Sequence, residues 1–450
     1  MTKKYIYNLI ILFDKIFIYF QFIIINIISI NKKKFTLIES KFGPGWGQLV
    51  QSIFYLNFFD KKKTSKILII LDYEKFNVLI QEFTENCKVI KIYSIFLFLN
   101  RDFSQYPKES EIKIKEFCKN IFANSFISMN NILYNQDRSF FNKKILSKYI
   151  LKKIHKQKIF SWHLHALNDG KNGESKKIIK PSKKCVKKIE KIFNFKKKEI
   201  ENSIHVSIRQ RNKVLNDSNI LKEIRYKILK NTSPFAYLKD GNINNLKFVI
   251  NYLLKNSNYK IFLTGDVENI NINHKNFFTY DNFKTKTCKR FYRLSLQTLV
   301  KNHITNSGGN SKIMQFNNCK ILFLDAWPPI TFQANSIFLF KNIINNKNKH
   351  INCFDYLKEY EKACKNQINK NSFEVSLKIY NEFVNGKNFK MFPNTKSQIL
   401  VSLTEFLSLI SNKKKINFKN KIFRKVPKYF QKILLENKCL LSSGNLKFIK

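Results

Sequence analysis

The feature of this sequence that most constrains its fold is a repeated alternation of short apolar runs with longer amphipathic segments. The runs "SIHVSIRQRN", "YKIFLTGD" and "CKILFLDAW" are separated by two helical patterns, "NLKFVINYLLKNSN" and "CKRFYRLSLQTLVKN". Strand, helix and strand at this spacing are typical of a parallel sheet with helices on its faces. The sequence therefore predicts an α/β fold with a Rossmann-like arrangement.

A second series of the same kind lies nearer the amino terminus, with the strand patterns "KFTLIES", "KILIILDY" and "KVIKIYSIF". A chain of 450 residues has room for two domains and appendages. We predict two Rossmann-like domains facing a cleft. The predicted parts are an apolar helix at 1–34, a first domain at 35–198, a second at 199–345, and a helical extension at 346–450, in which Thr395 and Gln398 match a capping box.

The net charge of +51 raises the question of a nucleic-acid partner. Lysine is spread through every segment, whereas arginine, the residue preferred for bidentate phosphate and base contacts, is rare. Lysine, asparagine, isoleucine and phenylalanine are abundant together, which is typical of an AT-rich genome. We therefore predict no nucleic-acid partner.

The eight cysteines form no C-x-x-C pair, and this pattern predicts free thiols in a reducing, cytoplasmic compartment. We predict no metal site.

Residues 5–30 are almost as long and apolar as a membrane-spanning helix, but Asp14 and Lys15 interrupt them. A charge at the centre of a span costs about 2.5 to 3.5 kcal/mol on insertion scales. The segment ends at three lysines, 32–34, which suit the anionic inner face of a cytoplasmic membrane. Two interpretations stay open: an interfacial anchor that makes a peripheral membrane contact, and a helix buried against the first domain.

Polar residues follow the predicted strands of the second domain where ligands bind in such folds. Arg209 and Arg211 come after "IHVSI", and their guanidinium groups suit bidentate contact with a diphosphate. Thr264, Gly265 and Asp266 come after the next strand, where a carboxylate can accept hydrogen bonds from a base or ribose.

The third such place is "TNSGGNS", which contains Asn306, Ser307, Gly308 and Gly309. Backbone amides that no Cβ atom obstructs, at the start of a helix and beside a serine hydroxyl, can bind phosphate. The alternative is a turn whose glycines only reverse the chain.

The first domain has its own glycine-rich segment between a strand and a helix. Its residues are Gly43, Gly45, Trp46, Gly47 and Gln48. It lacks both the G-x-G-x-x-G spacing of dinucleotide enzymes and the Lys-Ser/Thr ending of a P-loop. We therefore predict no nicotinamide and no other cofactor.

The order "SIRQR", "IFLTGD", "TNSGGNS", "ILFLDAWPP" resembles the second domain of bacterial GT-B glycosyltransferases associated with surface-polysaccharide genes. Their pattern runs H-V-R, V-I-R-M-G-D, G-T-S-S-G-L and a strand ending in N-x-x-P. The chain is similar, more distantly, to the fucosyltransferase group with H-x-R and a G-x-G-N-Q loop. The resemblance implies a GT-B-like fold with a nucleotide-sugar donor in the second domain.

By this resemblance Arg209 holds the donor diphosphate, Gly265 and Asp266 lie near the base, and Ser307 and Gly308 contact the phosphates. There are departures from the family patterns. Ser207 stands where the family has histidine, Gly47 where the fucosyltransferase loop has asparagine, and Gly309 where the bacterial group has leucine.

Together these features predict a metal-independent glycosyltransferase that uses a saccharide or lipid-linked acceptor at the inner face of the membrane. Glu39 and Asp240 are the candidates for a catalytic base. The alternative is a non-enzymatic protein that binds membrane or nucleic acid on a degenerate two-domain scaffold.

Overall fold

The structure is a computed structural model, and it describes part of the chain. Described continuously are 181–208, 241–265, 270–306, 319–326, 335–345, 349–351, 389–411, 423–426 and 438–446, with four strands between 36 and 128 and runs of one to three residues elsewhere. The chain divides into two compact units. The first comprises 1–146 and 178–186, and the second comprises 147–177 and 187–450.

The first unit contains a four-stranded, wholly parallel sheet. Its strands are β1 (Thr36–Glu39), β2 (Lys66–Leu71), β3 (Cys87–Ile92) and β4 (Phe126–Ser128), in the order β3-β2-β1-β4. The first three strands confirm the prediction from sequence. The helices predicted between them lie outside the described residues.

Among the described residues, ten strands and four helices lie in the second unit, and a further helix begins in the first unit and ends in the second. The strands are β5 (Ile204–Ile208), β6 (Ile261–Gly265), β7 (Phe277–Phe278), β8 (Asn302–Thr305), β9 (Lys320–Ala326), β10 (Ser336–Phe340), β11 (Asn342–Asn345), β12 (His350–Ile351), β13 (Phe389–Phe392) and β14 (Leu440–Leu441). The helices are α1 (Lys183–Phe193), which begins in the first unit, α2 (Lys197–Glu201), α3 (Ile243–Asn256), α4 (Lys289–Leu299) and α5 (Lys396–Ile410).

Seven of these strands form one parallel sheet in the order β14-β10-β9-β8-β5-β6-β7. The chain starts in the middle at β5, builds outward to β7, then returns to β8 and builds toward the other edge. This is the doubly wound order of dinucleotide-binding folds. The α/β class and the parallel Rossmann-like sheet predicted from sequence are therefore confirmed.

One face of this sheet is apolar and is covered by α3 and α5. Ile204, Val206 and Ile304 of the central strands belong to the same buried cluster as Leu246 and Ile399 of the two helices. Both helices have side-chain caps at their starts. Asn242 accepts hydrogen bonds from two backbone amides of α3, and Thr395 forms with Gln398 the capping box predicted for α5.

The opposite face carries an aromatic cluster. Phe193 at the end of α1 stacks on Phe262 of β6 and on Phe283, with ring centroids 5.7 and 4.8 Å away, and Tyr292 of α4 stacks on Phe283 at 5.7 Å. Helix α4 ends at Leu299, earlier than the predicted helical pattern, because its last residues lead into β8.

The region after 345, predicted as helical, also contributes strands. β11 pairs antiparallel with β12 and β13, and β14 extends the large sheet by pairing with β10. Strands of two residues are too short to give a period in sequence. The domain boundaries at 34, 198 and 345 stay predictions.

Helical residues are also described between positions 9 and 24. Within the part of the chain that the structure covers, no helix is both long enough and apolar enough to cross a membrane.

Candidate functional site

The middle of the large sheet is where the chain reverses its direction of winding. β5 and β8 are neighbours there, and Ser207 pairs in register with Thr305. The connections that follow the two strands lead to opposite edges of the sheet, since β5 is followed by β6 and β8 by β9. In open α/β sheets the crevice outside the carboxyl ends of such a strand pair is the usual place for a ligand.

Three of the residues predicted for donor binding are described, and they lie at this end of the sheet. Thr264 pairs in register with Ser207, Gly265 pairs with Ile208, and Asn306 follows β8 directly. The ends of β6, β5 and β8 are thus side by side. The other predicted donor-site residues, Arg209, Arg211, Asp266, Ser307, Gly308 and Gly309, come directly or closely after these ends in sequence and lie outside the described residues.

The first unit has a corresponding position. Glu39 is the last residue of β1, which lies between β2 and β4 at the point where that sheet changes its winding direction. The glycine-rich residues Gly43, Gly45, Trp46, Gly47 and Gln48 follow β1 in sequence and lie outside the described residues, as does Asp240.

Beneath the carboxyl ends of β5, β6 and β8 is a buried polar chain that the sequence did not predict. His205 Nε2 lies 2.8 Å from Thr264 Oγ1, the Nδ1 atoms of His205 and His303 are 2.9 Å apart, and His303 Nε2 lies 2.9 Å from the Val300 carbonyl oxygen. Both histidines are fully buried.

When both imidazole rings are neutral, their hydrogen-bond partners determine which ring nitrogen of His205 and of His303 carries the hydrogen. The Val300 carbonyl can only accept, so His303 carries its hydrogen on Nε2 and accepts on Nδ1. His205 then donates from Nδ1, and its Nε2 accepts from the Thr264 hydroxyl. The hydroxyl hydrogen of Thr264 is therefore directed at His205 Nε2.

A second series of side-chain hydrogen bonds lies closer to the strand ends. Ser207 Oγ donates to Thr305 Oγ1 over 3.0 Å, and Thr305 Oγ1 donates to the Asn306 carbonyl over 3.1 Å. The two series join the ends of three neighbouring strands by side-chain hydrogen bonds. Since buried bonds of this kind hold one geometry, they fix the positions from which the loops carrying Arg209, Asp266 and Ser307 start.

Burial determines the protonation state of His205. Desolvation holds the pKa of His205 well below its usual value of 6.5, and electrostatic interactions with His303 and Arg293 lower that pKa further. The neutral imidazole is thus the stable form in the folded protein. An unfolded chain, in contrast, binds a proton at this histidine near the ordinary pKa.

We expect the second unit to lose stability as the pH falls. Below the ordinary histidine pKa of about 6.5 the unfolded state takes up a proton that folded His205 does not, so the free energy of unfolding falls by up to about 1.36 kcal/mol per pH unit. Urea unfolding between about pH 7.5 and 5.5 measures this slope.

Two variants separate the contribution of His205 from that of an exposed histidine. His205→Gln removes the slope that this group contributes, whereas His274→Gln, at an exposed histidine, leaves it unchanged. A pH slope in His205→Gln equal to that of wild type would show that His205 does not stay neutral.

Gly265 is held where only glycine fits. Its φ is +123°, and a Cβ atom there would lie 2.1 Å from the backbone oxygen of Ile208 on the neighbouring strand. Sequence singled out this residue as part of a strand-end turn. The structure adds that the backbones of β5 and β6 approach each other closely at the edge of the proposed site.

Asp325, near the end of β9, was not predicted as special. It has a left-handed backbone with a φ of 48° and is almost completely buried. Its Oδ1 accepts from the Asn394 amide over 2.7 Å, and its own amide donates to Asn394 Oδ1 over 2.7 Å. Burial raises the pKa of Asp325, while hydrogen bonds from the backbone of Asn394 and Asn242 and the charge of Lys341 oppose that shift.

Asn394 extends this contact to other elements. Its Nδ2 donates to the Phe340 carbonyl over 2.6 Å, and its carbonyl accepts from Asn245 Nδ2 over 2.8 Å. The pair of Asp325 and Asn394 thus links the ends of β9 and β10 to the starts of α3 and α5. A strained residue at such a position motivates a test of its role.

We expect Asp325→Ala to cost more stability than Asp325→Asn. Alanine leaves buried amides without an acceptor, at about 1 to 3 kcal/mol, and adds about 1 kcal/mol for the left-handed backbone. Asparagine keeps one acceptor oxygen and tolerates that backbone. Urea unfolding of both variants measures the difference, and an equal loss would contradict the role assigned to the hydrogen bonds.

Within the residues described, no group of three or more histidine, cysteine or acidic side chains is arranged to hold a metal ion.

No family model matches the sequence, and no curated protein matches it. The crystal structure of a glycosyl transferase family 9 protein from Veillonella parvula is similar over 78% of this chain and 97% of that chain, at 10% identity and a TM-score of 0.34. At that score the similarity carries no argument, and the strand order of the large sheet defines the fold.

Proposed function

We propose that this protein is a glycosyltransferase that moves a sugar from a nucleotide diphosphate donor to a saccharide or lipid-linked acceptor. The observation that supports it most is the position of the ends of β6, β5 and β8, which lie side by side at the winding reversal of a doubly wound sheet. The three segments that resemble the donor site of GT-B glycosyltransferases start from these ends.

The proposed chemistry is electrostatic. Negative charge develops on the diphosphate as the sugar leaves, and fixed donors aimed at that charge lower the barrier. Arg209, with Arg211 beside it in sequence, would supply guanidinium donors, and the amides of 307–309 would supply uncharged ones. Asp266 would accept hydrogen bonds from the base or ribose, and the reaction we propose uses no metal ion.

The first unit is the proposed acceptor side. Glu39, at the winding reversal of its own sheet, and Asp240 are the candidate bases that would take the proton of the acceptor hydroxyl. We place the reaction in surface-polysaccharide synthesis at the inner face of the cytoplasmic membrane, as the resemblance and the lysines at 32–34 favour.

The test is thermal stabilisation of the purified protein by a panel of nucleoside diphosphates and nucleotide sugars, without added metal. A ligand at about one hundred times its dissociation constant adds about 2.7 kcal/mol to the free energy of unfolding. We expect one nucleotide class to raise the melting temperature and the matching nucleosides, which lack the diphosphate, to raise it much less.

If no nucleotide stabilises the protein, the donor site is absent and the proposal fails. The alternative of a degenerate scaffold would then gain support. That alternative predicts binding that weakens steeply with salt and that responds alike to charge removal anywhere on the surface.

A further inference from the structure

The amino-terminal helical residues expose an unusual amount of apolar surface. Six of the large side chains described between positions 9 and 20 are more than half exposed; they are Leu9, Leu12, Phe13, Ile16, Tyr19 and Phe20. We call these six the amino-terminal apolar face. The exposed large apolar residues described in the second unit, Phe392, Leu400 and Leu435, are only 39 to 42% exposed and are separated in sequence.

The spacing of the amino-terminal apolar face places most of it on one side of a helix. Positions 9, 12, 13, 16 and 20 recur at intervals of three and four residues, which is the repeat of a single helical face. The interrupting charges, Asp14 and Lys15, are not among these positions. Contiguous exposed apolar surface is rare on a soluble monomer and marks a place of contact with a partner or a membrane.

The charges around this face favour an anionic bilayer over a second copy of the chain as its contact. Residues 1–34 contain six lysines, namely 3, 4, 15, 32, 33 and 34, and a single acidic residue. A second copy of the chain would bring like charges together, whereas an anionic bilayer offers phosphates to the lysines and acyl chains to the apolar side chains. Helices of this kind lie in the plane of the membrane interface.

We propose that the amino-terminal apolar face docks the protein on bilayers that contain anionic phospholipids, with its side chains between the headgroups and the flanking lysines on the phosphates. This inference extends the proposed place of action by naming the surface and the lipid chemistry. It does not depend on sugar transfer, because the contact would form without donor or acceptor.

The first experiment is sedimentation of the full-length protein with vesicles of phosphatidylcholine alone or mixed with phosphatidylglycerol. The test variant carries Leu12→Gln, Phe13→Gln and Phe20→Gln, because glutamine is polar and also has a high helix propensity. The matched control carries Phe392→Gln, Leu400→Gln and Leu435→Gln. We expect the test variant to bind the mixed vesicles about a hundredfold more weakly, since three large apolar side chains no longer enter the interface, and the control to bind like wild type.

The charge component has its own variant, in which Lys32, Lys33 and Lys34 are each replaced by glutamine. At about fivefold per lysine, we expect roughly a hundredfold loss on the mixed vesicles and no change on phosphatidylcholine alone. Binding that ignores both lipid charge and salt would contradict the electrostatic component.

Wild-type protein that does not sediment with either vesicle, or a test variant that binds as well as wild type, would overturn the proposal. Gel filtration tests whether a second copy of the chain covers this face instead. In that case wild type would be an oligomer, the test variant would be a monomer, and the two would not differ in vesicle binding. Nucleotide stabilisation should be the same in the test variant and wild type, so failure of the docking surface and failure of the donor site are read separately.

Discussion

Gly265→Ala is expected to destabilise the second unit by about 4 kcal/mol. A non-glycine residue at a φ of +123° costs about 2 kcal/mol in backbone strain, and moving the neighbouring strand away from the new methyl group costs about 2 kcal/mol more. The atom that a Cβ would meet first is the Ile208 backbone oxygen, which cannot turn aside as a side chain can. Urea unfolding of the purified variant measures the loss.

Gly241→Ala is the matched control. A Cβ at that position would also meet Ile208, at 2.7 Å from Cδ1 and 2.8 Å from Cγ1, but both are side-chain atoms. The side chain can adopt another rotamer, so we expect a loss below about 2 kcal/mol. Equal losses in the two variants would show that the close approach of the β5 and β6 backbones does not decide the effect.

Arg209→Ala is expected to lower turnover of the nucleotide sugar found in the thermal panel by about a hundred to a thousandfold. This is the usual effect of removing one fixed donor from a charge that develops in the transition state. Arg209→Lys should give a smaller loss, because it keeps the charge but not the planar pair of donors. Steady-state kinetics of sugar transfer measures both losses.

The control for this variant is Arg424→Ala, which removes an exposed arginine from another part of the second unit. We expect its turnover and its nucleotide stabilisation to equal those of wild type. If Arg209→Ala turned over substrate at the wild-type rate, the diphosphate would not be held by that residue and the proposed donor site would be wrong. Unfolding in urea checks that Arg209→Ala has kept its stability.

Sequence determined the elements whose signal is local. The patterns "SIHVSIRQRN", "YKIFLTGD" and "CKILFLDAW" contain β5, β6 and β9, and Thr395 and Gln398 predicted the start of α5. Apolar periodicity and capping depend on residues within a few positions of each other, so a single sequence carries them. Strand ends could therefore be located, and with them the positions of Thr264 and Gly265.

Short strands gave no comparable signal. β8 has four residues, of which Asn302, His303 and Thr305 are polar, and β14 has two. Yet β8 is a central strand of the sheet, and polar residues at alternate positions in β5 and β8 were the available sign of a buried polar layer. That sign is readable only when the two strands are known to be neighbours.

Sequence by itself thus determined the fold class and the polar and glycine residues that lie at or just after the ends of individual strands. Only the tertiary structure decided that β5 and β8 are adjacent, that His205 contacts His303 across 98 residues of chain, and that Asp325 holds Asn394. The physical reason is that strand pairing and buried hydrogen bonds join residues distant along the chain. Their partners are selected by the packing of the whole sheet rather than by any local pattern.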